Sequence, residues 1–144
     1  MTRRLMLAAI VATALACSDD GMSAQQSHNS AKAAWQKAAI TSYTFTAQRT
    51  CECLPAARGP VRITVTNGAV TAVALVETGA AVEPSLWFDV NALFSLIEDQ
   101  MSSNPKKLEA RYDPTLGYPT YVAYGNREVD AGAIIEISAL SKSR

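Results

Sequence analysis

Histidine is almost absent from this chain of 144 residues, where His28 stands alone. A single imidazole leaves Ser-His-Asp and Cys-His catalysis, and the histidine-containing zinc sites, without a source. His28 itself falls in a polar stretch and reads as a solvated side chain. Cysteine is scarce as well, at three residues, and there is neither a Gly-rich phosphate loop nor a cluster of metal-ligating residues. Charge of one sign is lacking, since 13 basic residues meet 13 acidic ones. No basic patch is large enough to release counterions from a nucleic acid, so nucleic-acid partners are excluded. Long apolar runs are missing too, which argues against a membrane-spanning helix. Hydrolase and nucleotide-dependent chemistries are thereby set aside, and neither a cofactor nor a metal is expected.

What is present begins with the N-terminus. Arg3 and Arg4 precede the apolar run Leu5–Leu15, the pattern of a secretory signal peptide over residues 1–16. Its removal leaves eleven basic against thirteen acidic residues, a net charge of −2. Ala14-Leu15-Ala16-Cys17 permits two readings. It is an Ala-x-Ala cleavage site for a soluble secreted protein, and it also resembles a bacterial lipobox with Cys17 as the acylated new N-terminus. The polar residues after Cys17 favour the lipoprotein, because several acyl chains on one residue meet the requirement for stable anchoring. Ser18 after Cys17 favours the outer over the inner membrane. Residues 17–30 then read as a lipidated cysteine and flexible tether, and residues 31–144 as a single domain.

Ser30 is expected to cap a helix over Ala31–Ile40, with Trp35, Ala38 and Ala39 on one face. Tyr43, Phe45 and Ala47 alternate with Thr44, Thr46 and Gln48 in a half-buried strand. Val61–Thr66 and Ala69–Val76 flank Asn67-Gly68, a strong hairpin signal because both turn positions need φ > 0. Extending that register puts Val70, Ala72 and Ala74 on the core face and Val73 and Leu75 on the opposite one. After a loop over Glu77–Phe88, Asp89 caps a second helix with the stripe Val90, Leu93, Phe94, Ile97 and Met101. Leu108, Ala110 and Tyr112 lead into the turn Asp113–Gly117, and Tyr118, Thr120, Val122 and Tyr124 return on the core side. Ile135, Ile137 and Ala139 mark a last strand. The expected fold is α+β: a two-layer sandwich of a six-stranded antiparallel sheet with two helices on one face. Its order is αβββαβββ, compatible with an internal duplication.

Several of these runs carry a resemblance. The spacing Trp35-x7-Tyr43-Thr44-Phe45-Thr46 is followed by C-E-C-L-P at Cys51 and by G-P-V-R-I-T-V-T-N-G-A-V at Gly59. F-D-V-N-A-L-F-S-L-I-E at Phe88 and Y-D-P-T-L-G-Y-P-T at Tyr112 follow in order. Together, over Ala34–Leu140, they resemble domain of unknown function family 6174, a set of bacterial secreted proteins and lipoproteins. The resemblance implies an exported location and no established activity. After the last loop the family tends to continue with an acidic cluster, where this chain keeps only the carboxylate of Asp130.

Two function classes follow. One is a non-enzymatic cell-envelope lipoprotein, held to the membrane through Cys17, that binds an envelope protein or a small ligand. Its surface is the open sheet face, with Val73, Leu75 and Tyr121 as exposed apolar residues, or the hairpin carrying Tyr112, Asp113, Gly117, Tyr118, Pro119 and Tyr121. The structural alternative for the hairpin is that its tyrosines cap the core while Asp113 holds the turn. The other class is a thiol–disulfide redox protein using Cys51 and Cys53. In a fully extended strand their Cα atoms would be roughly 6.6–6.8 Å apart, the upper edge of disulfide geometry, so a bend has to shorten the span. A local staple is the structural reading of the same pair.

Overall fold

The computed structural model describes residues 23–126 and 131–143. The signal segment, Cys17 and Asp130 lie outside the described residues. Two helices, α1 (Ala24–Ala38) and α2 (Val90–Ser103), alternate with strands β1 (Tyr43–Thr50), β2 (Val61–Thr66), β3 (Ala69–Leu75), β4 (Glu109–Tyr112), β5 (Pro119–Asn126) and β6 (Ala131–Lys142). The six strands form one antiparallel sheet in the order β3-β2-β1-β6-β5-β4. The chain is α+β, as the hairpins and helix stripes require. Each half of the chain supplies three neighbouring strands, β3-β2-β1 and β6-β5-β4, an order that does not by itself establish a duplication.

One face of the sheet carries Tyr43, Phe45, Ala47, Val61, Ile63, Val65, Val122, Ile135 and Ile137, all buried. Against it pack Trp35 of α1 and Val90, Leu93, Phe94 and Ile97 of α2 in one cluster. The α2 stripe is the one its spacing predicts, and the Asp89 side chain accepts from the Ala92 N–H at 2.7 Å as its cap. Tyr43 contributes twice. Its ring meets Trp35 edge-on at 5.3 Å, and its buried hydroxyl accepts the Val90 N–H at 3.0 Å, one of the amides a helix start leaves unpaired.

The first helix departs from expectation. It starts at Ala24, seven residues before the expected Ala31, because Ser23 and Gln26 form a reciprocal capping box. Residues 24–30 are therefore helical, so Ser30 is not the cap and this stretch is not tether, and His28 is fully buried, not solvated. At the other end Ala39 adopts a left-handed φ of 49° and terminates the helix, so it leaves the apolar face.

Bulges correct three strand faces. Thr66 pairs with Ala69 as the turn dictates, but Thr64 pairs with Ala72 and Val65 with Val70. Thr71 is the extra residue, and beyond it every β3 side chain changes face. Val73 is buried and Leu75 packs on the core, so neither lies on the open face. In β6, Ala139 and Leu140 together oppose Phe45, with Ala139 at φ 53° and exposed while Leu140 packs inward. In β5, Thr120 is the extra residue between Pro119, opposite Tyr112, and Tyr121, opposite Arg111. The segment expected as a loop after β3 folds back along that strand. Ala81 bridges Ala74, and the Val82 N–H donates to the Val73 carbonyl, which covers the sheet edge.

Candidate functional site

Position 28 shares a face of α1 with Ala31 and Trp35, at i, i+3 and i+7, so the helix carries His28 into the core. There the imidazole joins three elements. Nδ1 lies 2.9 Å from the Tyr112 hydroxyl on β4, and Nε2 lies 3.1 Å from Glu98 Oε1 on α2. A carboxylate only accepts, so Nε2 carries a proton; in the neutral ring Nδ1 then accepts from the Tyr112 hydroxyl. Lys32 Nζ reaches the same Glu98 oxygen at 2.6 Å. The Lys32 hydrogen bond first, and the His28 bond second, hold the Glu98 carboxyl below the usual glutamate range. Burial pushes the Tyr112 hydroxyl up to about 12, with the Glu98 charge adding to it. Phe94 stacks on Tyr112 at 6.2 Å and meets the imidazole edge-on at 5.5 Å.

Beside this knot lies a cleft of about 320 Å³. The first turns of α1 (Ala24, Gln25, Ser27) form one wall, with Met101 and Pro105 after them, and Leu108, Ala110 and Tyr112 form the other. A second, shallower groove of about 450 Å³ runs between the helices, where Trp35 Nε1 donates to Asn91 Oδ1 at 3.1 Å.

The hairpin residues divide between these surroundings. Asp113 Oδ1 accepts from the Thr115 and Leu116 amides, and the Gly117 N–H returns to the Asp113 carbonyl. Gly117 is buried at φ 80°, where a Cβ would overlap the Ala31 carbonyl of α1. Tyr118 meets Trp35 edge-on at 6.3 Å, and Pro119 is buried. The turn is thus docked on the helix, and of this set Tyr112 alone lines the cleft. Tyr121 stands apart on the open face under the Arg111 guanidinium, 4.5 Å away. Around it the face mixes polar neighbours, Thr46 beside Arg62 and Gln48 beside Glu136, with the half-buried Ile134 opposite Ala123.

Cys51 and Cys53 are disulfide-bonded across a bend after β1, with Cα atoms 5.3 Å apart, and Arg58 Nε donates to the Cys53 carbonyl. Arg49, two residues earlier, lies over the rings of Trp87 at 4.9 Å and Phe88 at 5.2 Å, and burial lowers its pKa. Among the described residues no group of three His, Cys, Asp or Glu side chains is placed to hold a metal ion. None of the described helices is long and apolar enough to cross a membrane.

Residues 27–142 match the model of a family of unknown function, DUF6174. The chain belongs to this family. The match takes in every strand and α2, together with α1 from Ser27 onward, so the buried His28 lies within the family's own domain. No curated protein and no solved structure matches the chain.

Proposed function

We propose that this member of the DUF6174 family is an exported envelope lipoprotein, anchored through Cys17, whose domain binds a small ligand without transforming it. The observation that carries the binding site is the 320 Å³ cleft at Tyr112, at the lower end of the volumes that small-molecule sites occupy. Its walls are mostly apolar, with Gln25 and Ser27 among them as polar side chains to orient a guest. The open sheet face is the weaker surface, because Val73 and Leu75 belong to the core and Tyr121 is covered by Arg111. The disulfide acts as a staple at the end of β1.

The test uses the exported chain carrying Cys17→Ser, which has no lipid of its own, and a solvent extract of the producing cell's envelope. A ligand that binds only the folded state raises the melting temperature by mass action. A rise is expected with the extract, and Ser27→Trp, which narrows the cleft from a half-buried helix position, should abolish it. Serine at both Cys51 and Cys53 should leave the rise intact. If the extract leaves the melting temperature where it was, the cleft is not a ligand site.

A further inference from the structure

The chemistry of the guest follows from what surrounds the cleft, on the reading that the cleft is a ligand site. We infer that it takes one acyl chain of an anionic bilayer phospholipid, with Lys106 and Lys107 meeting the headgroup at the rim. The walls come first: Ala24, Met101, Pro105, Leu108 and Ala110 offer hydrocarbon or ring surface, and 320 Å³ suits one chain rather than two. Charge is the second observation. Lys106 and Lys107 lie in the short turn that joins Pro105 to Leu108, both of which line the cleft, so two cations are carried by the segment that borders it. Both lysines are exposed, and neither enters an ion pair among the described residues. A carboxylate or phosphate is their natural complement.

Chain length is the third. Six residue steps separate Cys17 from the capping residue Ser23, and an extended chain covers at most about 20 Å over that count. The cleft is lined by Ala24, Gln25 and Ser27, the first residues beyond that tether. A cysteine anchored in the bilayer therefore keeps the cleft and its two lysines near the headgroups. A water-soluble guest would need no such placement. A lipid still seated in its leaflet does, because only its chain has to bend out of the bilayer.

The experiment is co-sedimentation of the Cys17→Ser chain with vesicles of phosphatidylcholine, alone or mixed with phosphatidylglycerol. Binding to the mixed vesicles is expected, at least about tenfold weaker for neutral vesicles or for Lys106→Glu with Lys107→Glu. Ser27→Trp should weaken it comparably while the circular dichroism spectrum stays unchanged. In a Leu108→Trp chain, phosphatidylglycerol brominated on its acyl chains should quench the added indole. Failure to sediment with mixed vesicles overturns the inference. So does sedimentation that Ser27→Trp leaves intact and bromine does not report, which is headgroup adsorption. Binding of free dodecanoate without vesicle binding overturns the bilayer source. Should the envelope extract stabilise the chain while vesicles do not bind, the cleft stands as a ligand site and the lipid assignment falls. Should neither bind, both fall.

Discussion

His28 Nδ1 and the Tyr112 hydroxyl lie 2.9 Å apart across 84 residues of chain, tying the first helix to the fourth strand where the cleft begins. Removing the imidazole leaves a cavity against Phe94 and strips partners from both Tyr112 and Glu98. His28→Ala should cost about 2–4 kcal/mol. Tyr112→Phe removes one neutral hydrogen bond and should cost about 1 kcal/mol. Urea denaturation of the Cys17→Ser chain measures both, and equal losses would mean that His28 does not act as the hub.

Gly117 and Gly68 adopt nearly the same positive φ, 80° and 79°, in opposite surroundings. A Cβ on Gly68 meets open space, whereas one on Gly117 overlaps the Ala31 carbonyl. Gly68→Ala should therefore show only the backbone cost, about 1 kcal/mol. Gly117→Ala adds the displacement of the turn from α1 and should lose about 3 kcal/mol or more. Matching losses would separate the hairpin from the helix.

Val73 and Ala72 test the β3 bulge. An aspartate at Val73 places an unpaired charge in the core and should unfold the chain at room temperature. An aspartate at Ala72, on the exposed face, should shift the free energy by no more than about 0.5 kcal/mol. Circular dichroism distinguishes the two, and the reverse pattern would restore the unbulged register.

The sequence AVTAVAL shows why this register was hard to read. It has apolar residues at both parities, so alternation fits either face, and Asn67-Gly68 specifies only the first pair. The α2 stripe and the faces of β1 and β2 were legible, because one periodicity there is apolar and the other polar. The start of α1 was marked by Ser23-Ala24-Gln25-Gln26, a capping-box spacing that the surrounding polar residues disguised as tether. His28 reads as solvated for the same reason. Its partners Glu98 and Tyr112 lie 70 and 84 residues away, and no local pattern announces a hydrogen bond made by tertiary packing.

Alkaline pH should destabilise the fold. Burial raises the hydroxyls of Tyr43 and Tyr112 from 10.0 to about 12. The unfolded chain then releases these protons before the folded one does. The stability they contribute is fully present below pH 10 and is lost as the pH rises from there towards about 12. Melting temperatures taken across that window should fall steeply in the parent chain and less steeply in Tyr43→Phe and Tyr112→Phe. Identical slopes would show that the two phenols are solvated in the folded state.

Native mass spectrometry of the wild-type chain, extracted from membranes in mild detergent, addresses anchor and guest together. Denatured, the chain should begin at Cys17 and carry a diacylglyceryl adduct. Under native conditions it should carry in addition one noncovalent guest, present in the wild type and absent from Ser27→Trp. A bare polypeptide under both conditions, with an unmodified Cys17 at its start, would contradict the account of an anchored, ligand-binding envelope protein.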